Sequence, residues 1–294
     1  MSKQVTKRCH WVSQSYLRTF AADEGRQRIW RFSKTAGDPE LKRIDKVAVK
    51  HHLYAPMGAD GQRTDALEKK LGDLEQWFGE PYWKAACNDF PDYGDEAWRK
   101  MMALLVATTY LRNPLQYKHW KAMHRRLVDQ IEAWGEPPAE MIIKDKTYQF
   151  DVSTWPAYRD ADDEALKASW NDYVGQAAGI AEHFLHMRWA VLFSEKPVFI
   201  TSDNPVMLGD SVTPYRGIQH PDTIVTFPIS PTRVLMMDNR HSEPGNRYYP
   251  LDGSPAPMNL LIWRNAIDHM YSHRPTDEVL QELDDDAQRM MGAA

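Results

Sequence analysis

The sequence predicts an α+β fold, with a central helical bundle packed on a mostly antiparallel sheet drawn from N- and C-terminal segments. Three observations carry this. Apolar residues recur at helical spacing from about residue 64 to 188. Short alternating or apolar runs bounded by turn residues lie at 28–33 and again from 189 onward. Helices and strands are segregated along the chain and do not alternate, which is the α+β pattern. A chain of 294 residues hides roughly three quarters of its unfolded surface, enough for a substantial core. No linker is long enough to force a division. The reading is one domain over 1–294: a strand-bearing arm (1–60), a helical part (64–188), a strand-rich part (189–275) and an acidic C-terminal helix (276–294).

In chain order, Arg28-Ile29-Trp30-Arg31-Phe32-Ser33 alternates as a short strand does, and Gly37-Asp38-Pro39 turns after it. Residues 45–54 read as a second strand or an extended arm, and 58–61 as a loop. Thr64 caps a helix whose stripe is Leu67, Leu71, Leu74 and Phe78. Pro81 ends it or starts a short continuation to Cys87. Asp95 opens the next helix, with Trp98, Met101, Met102, Leu105 and Leu111 on its apolar side. Pro114 forces a kink or a new start, and that helix runs to about Trp134. Gly135, Pro137 and Pro138 mark a boundary, and 139–160 is poorly patterned, a mobile excursion. One long helix is expected over 162–188. Strands follow at 189–194, 198–201, 223–227 and 233–237, then helices at 257–272 and 276–289.

Charge and composition exclude several classes. With 43% hydrophobic and 26% charged residues the chain is not disordered throughout. Its longest apolar run, residues 101–111, falls short of the roughly 20 residues a membrane span needs. The opening MSKQVTKRCHW lacks an apolar signal region, so a cytoplasmic location is expected. Cys9 and Cys87 are too few for a disulfide scaffold. The net charge of −5 conceals an asymmetry: residues 1–50 carry +7 and the remainder −12. Residues 97–128 hold Arg99, Lys100, Arg112, Lys118, Lys121, Arg125 and Arg126 with no carboxylate, interleaved with Trp98, Tyr110, Tyr117 and Trp120. Such a stretch attracts a polyanion, or pairs with acidic segments inside the fold.

No glycine-rich phosphate loop, GxSxG elbow, CxxC or HExxH occurs. His183 and His186 with Glu182, and the pair His51-His52, have spacings a metal site can use. Hydrogen-bonded or solvated histidines are the plainer reading of both. Three segments carry more. His10, Gln14 and Tyr16 share one face if their segment is extended, and His10 and Gln14 still share one if it is a helix. Glu68 and Glu75 lie two turns apart on one helix face, about 10 Å along the axis, suited to separate partners such as Arg112 and His10. Gly72 between them costs about 1 kcal/mol relative to alanine, which a close approach or bound group would compensate. Ser202-Asp203-Asn204-Pro205 forms a polar corner at a strand end, a structural turn or a place for a base or ligand.

These motifs, in this order, resemble an uncharacterised, mainly bacterial family of domains of unknown function. Its pattern opens on His-x-x-Pro-x-x-Tyr-Leu-x-x-Phe, met here by His10, Tyr16, Leu17 and Phe20, with Ser13 in the proline's place. Glu68 and Glu75, Arg112, Trp189, the Ser-Asp-Asn-Pro corner and Phe227-Pro228-Ile229-Ser230-Pro231 complete it over about 10–275. The resemblance implies polar motifs gathered from distant segments and carries no activity.

The leading expectation is therefore a hydrolase, nuclease-like, acting on a phosphate-containing or nucleic-acid substrate. His10, Glu68 and Asp203 are its catalytic candidates. His10 is the general acid or base, and Asp203 or Glu68 orients it or holds a divalent cation. Arg112 clamps the phosphate, and Gln14, Tyr16, Glu75, Asn204, Lys118 and Lys121 complete the substrate-binding set. The alternatives are a non-catalytic anion or nucleic-acid binding module using residues 97–128, and a partner-binding protein whose tryptophans and tyrosines form an interface.

Overall fold

The N-terminal motif forms a knuckle that plugs the core. In this computed structural model, which describes residues 8–58, 60–143, 145–209 and 217–292, a short strand Arg8–His10 leads into one helical turn Gln14–Leu17 and a 3-10 turn Arg18–Phe20. Ser13 starts the turn by accepting the N–H of Ser15, so a hydroxyl does the work at the place where the resembled family has proline. Tyr16, Leu17 and Phe20 are then wholly buried, with Tyr16 packed among Phe20, Phe78, Trp83 and Phe227. Met1 to Lys7 of the basic N-terminal stretch, and Ala59 of the expected 58–61 loop, lie outside the described residues.

The strands form two main sheets. One has five strands in the order Arg247–Pro250, Arg188–Phe193, Arg233–Asp238, Ile224–Ser230, Met207–Leu208. Its neighbours are antiparallel except the first pair, which is parallel. Its three long central strands read as nearly continuous apolar runs because both faces are covered. Pro228 sits inside one of them beside a register shift, where the missing N–H is tolerated. The second sheet joins the chain's two ends, in the antiparallel order Glu40–Arg43, Arg28–Ser33, His269–Ser272, Thr201–Ser202. A small core of Ile200, Ala256, Ile262, Met270, Val279 and Leu283 packs it against the last two helices, Ala256–Asn265 and Thr276–Gly292. The α+β reading therefore holds, with two principal sheets where one was expected.

The helical layer follows the expected signals closely. Helix Ala66–Glu75 buries Leu67 and Leu71, and Asp65 stands at its N-cap, one residue past the expected Thr64. Pro81 opens a new helix to Asn88. Asp95 caps Glu96–Leu111 by accepting the N–H of Trp98, and Asn113 with Pro114 starts Pro114–Trp134.

Three expectations need correction. The helix over 162–188 is two helices, Asp163–Gly175 and Ala177–His186, broken at Gln176, which has φ −99° and ψ 23°. The poorly patterned stretch 139–160 holds, among its described residues, a hairpin of Glu140–Ile143 with Lys146–Gln149 and a short helix Trp155–Arg159. The helix expected to reach residue 272 stops at Asn265, and His269–Ser272 is a strand. The last has a tertiary cause: the Asp203 carboxylate accepts the N–H groups of Ile267, Asp268 and His269 at 2.8, 3.0 and 3.0 Å. Those donors are thereby taken from any helical ladder.

Candidate functional site

The Ser-Asp-Asn-Pro corner is a receptor for backbone. Beyond its three N–H bonds, the Asp203 carboxylate lies 3.4 Å from His269 Nδ1. The Asp203 carbonyl faces the other way and accepts Trp11 Nε1 at 2.8 Å and Asn113 Nδ2 at 3.0 Å. Asn204 and Asn265 exchange bonds: each side-chain amide donates to the other's main-chain oxygen, at 2.9 and 2.7 Å. Asn204 Oδ1 also accepts Asn113 Nδ2 at 3.1 Å. Asp203 and Asn204 are both buried. Their polar atoms tie the N-terminal knuckle, the start of Pro114–Trp134 and the helix end at Asn265 into one knot. The structure separates Asp203 from the other catalytic candidates in role: its carboxylate holds the 267–269 turn.

Arg112 is the hub of a second cluster. It is only 3% exposed, at the C-terminal end of Glu96–Leu111. One terminal nitrogen pairs with Glu75 Oε1 at 2.5 Å and the other donates to the His10 carbonyl. Its own carbonyl accepts the Tyr54 hydroxyl, and the guanidinium carbon lies 5.7 Å from the Tyr54 ring centre. Burial works against the Arg112 charge, but the Glu75 carboxylate and the Tyr54 oxygen outweigh it, so the group stays protonated. Of the two glutamates expected to serve separate partners such as Arg112 and His10, it is Glu75 that pairs with Arg112.

Glu68 faces this hub from one turn and more up the same helix. Burial pushes its carboxyl up to about 7, opposed by Arg112 and reinforced by Glu75. The Cys9 thiol lies against it, and burial raises that thiol too. On the other side of the Arg8–His10 strand, the His10 Nδ1 meets Gln14 Nε2 at 3.3 Å. Burial lowers the affinity of His10 for a proton, only partly offset by the Asp45 backbone and Glu75. Three polar atoms here are buried without a hydrogen-bond partner: His10 Nε2, Glu68 Oε2 and Arg112 Nε. Buried polar groups are almost always paired, so three orphans around one hub single this place out.

The divalent cation expected at the carboxylates has a poor host here. Arg112 already supplies the positive charge between Glu68 and Glu75. Among the described residues no group of three or more His, Cys, Asp or Glu side chains is gathered to hold a metal.

Other expected site residues fall elsewhere. The Tyr16 hydroxyl is sealed in the core, shared at 2.7 Å with Thr201 Oγ1 and donated at 2.7 Å to the Pro228 carbonyl. Gly72 needs no compensating group, since a Cβ there would meet nothing within 4 Å. Much of the basic stretch is structural. Arg99 donates to the carbonyls of Leu185 and Met187 and stacks 4.4 Å over Trp189. Lys121 pairs with Asp163 at 2.8 Å. Lys118, Arg125 and Arg126 remain exposed on Pro114–Trp134. His186 pairs with Glu182 at 3.0 Å on the surface, and His183 meets Gln219 at 3.3 Å. Tyr54, Asn113 and Cys9 are not among the site residues expected from the sequence. Asn113 was legible as a cap before Pro114; Tyr54 carried no signal, because its role depends on where Arg112 ends up.

A family model described as "Protein of unknown function (DUF4238)" matches residues 8–281. No curated protein and no solved structure matches the chain.

Proposed function

The chain belongs to the DUF4238 family of proteins of unknown function, and we propose that it is a hydrolase whose proton chemistry is carried by His10 and Glu68. The observation that carries the reading is the set of orphaned buried atoms, His10 Nε2 and Glu68 Oε2, on either side of Arg112. A carboxyl raised to about 7 is half protonated at neutral pH and can give up a proton. An imidazole held below its usual value is neutral there and can accept one. His10 is thus the base that takes a proton from the water whose oxygen bonds to phosphorus, and Glu68 the acid that gives a proton to the substrate oxygen leaving as its bond to phosphorus breaks. Gln14 fixes the His10 ring, and Glu75 fixes Arg112. Arg112 is a positioning residue in this scheme, since two of its nitrogens already hold Glu75 and the His10 carbonyl. The substrate class we propose is phosphate-containing.

The test is turnover of p-nitrophenyl phosphate, bis(p-nitrophenyl) phosphate and a single-stranded oligonucleotide. Wild type should hydrolyse at least one. His10→Ala and Glu68→Gln should each lose about 10²–10⁴-fold, the usual worth of a positioned acid or base, with little change in the melting temperature of His10→Ala. Absence of turnover on all three substrates, or variants as active as wild type, would sink the proposal. A large loss of stability in His10→Ala would make His10 a structural residue.

A further inference from the structure

We propose that a second site, in the cleft between the N-terminal knuckle, helix Pro81–Asn88 and the end of strand Ile224–Ser230, binds a small phosphate-bearing molecule of about nucleotide size. The inference does not rest on the acid–base reading, because none of His10, Glu68, Glu75 or Arg112 lines this cleft. The cavity is about 560 Å³, within the range of small-molecule sites. In a chain of net charge −5, its lining contains Arg18, Arg26 and Lys84 and no aspartate or glutamate. Three cations converging on a concave wall without a carboxylate create a positive potential that an anion relieves. The Ser15 and Thr19 hydroxyls stand beside them in the lining, while the Thr232 hydroxyl donates to the Cys87 carbonyl. Phe78 and Trp83 supply an apolar wall for the uncharged part of such a ligand.

The cations are placed by the fold. Arg26 adopts φ 52°, a left-handed conformation that a residue with a Cβ rarely takes. Its Nε donates to the Arg18 carbonyl at 3.0 Å, which fixes the direction of its side chain across the knuckle. Trp83 Nε1 donates to Thr19 Oγ1 at 3.4 Å, holding the opposite wall to the same knuckle. Held backbone strain of this kind gathers at ligand clamps. The volume of about 560 Å³ matches a small molecule, whereas a nucleic-acid strand needs a longer groove.

Calorimetric titration of the full chain with inorganic pyrophosphate, adenosine monophosphate and adenosine tests this. One-to-one binding of pyrophosphate or the monophosphate is expected, with none of adenosine. The two anions distinguish recognition of phosphate alone from recognition of phosphate on a nucleoside. Lys84 is exposed on its helix, so Lys84→Glu should fold normally and weaken binding at least about tenfold, the scale of one charge-assisted contact. Lys146→Ala, exposed in the hairpin strand Lys146–Gln149 and outside the cleft lining, should leave it unchanged. Arg18→Ala repeats the test from the knuckle side. Failure of both anions to bind would overturn the proposal. So would unweakened binding to Lys84→Glu and Arg18→Ala, or binding of a single-stranded oligonucleotide where both small anions fail.

Discussion

At the scale of single residues, burial and charge around Arg112 set unusual proton affinities, and one of them has a measurable consequence. Burial raises Glu68 from 4.5 to about 7. Between those values the folded chain keeps a proton that the unfolded chain has lost. The resulting stability is complete below the unfolded value and disappears as pH rises through about 7. Allowing for solvent at a half-buried carboxyl, the swing is on the order of 2 kcal/mol. Glu68→Gln cannot titrate, so the stability of wild type relative to this variant should fall by that amount from about pH 5 to about pH 8. The lowered affinity of His10 acts in the opposite sense below its ordinary value, but it is common to both proteins and cancels. A pH-independent difference in denaturant midpoints would show that Glu68 titrates normally.

At the scale of elements, helix starts and stops are set partly by local chemistry and partly by distant partners. Asn113 shows both. Its Oδ1 caps Pro114–Trp134 by accepting the Leu115 N–H at 2.9 Å, while its Nδ2 serves the Asp203 carbonyl and Asn204. Asn113→Ala should therefore cost about 2–3 kcal/mol, more than an ordinary cap, because buried acceptors lose their donor. Thermal unfolding should register this as a drop of about 5 °C or more; a loss below about 1 °C would mean the knot does not depend on the amide. Gly72 shows the reverse. It sits inside Ala66–Glu75, exposed, with open space where a Cβ would go. Gly72→Ala should stabilise the chain by about 0.5–1 kcal/mol. Destabilisation in a urea titration would reveal a close approach at this face.

At the scale of the whole molecule, the four-stranded sheet joins the two ends of the chain. Strand Arg28–Ser33 pairs with His269–Ser272, which in turn pairs with Thr201–Ser202. The knot of Trp11, Asn113, Asp203 and Asn204 lies alongside it. Opening either end should then expose the other. Hydrogen exchange should give Ile29, Arg31 and Met270 opening free energies that agree within about 1 kcal/mol and fall together in Asn113→Ala. Early exchange of Arg28–Ser33 alone would mean that the N-terminal arm opens as a separate unit.

The sequence by itself determined those features whose cause is local. Helical stripes and caps placed Glu96–Leu111 and Pro114–Trp134, alternation placed Arg28–Ser33, and apolar runs placed the central strands of the larger sheet. The order of the polar motifs carried the family resemblance, and the family model covers residues 8–281. That a glutamate of Ala66–Glu75 pairs with Arg112 was legible from charge and helix face, and the packing chose Glu75. Only the tertiary structure decided the rest. A break at Gln176 is invisible to periodicity, because both flanking helices keep the same 3.6-residue repeat. The change from helix to strand after Asn265 depends on a carboxylate more than sixty residues earlier that captures the backbone N–H groups. Tyr16 and Asp203 are polar residues of functional type, and their chemistry in sequence is the same whether buried or open. Partners supplied by distant segments decide that the Tyr16 hydroxyl and the Asp203 carboxylate serve the core.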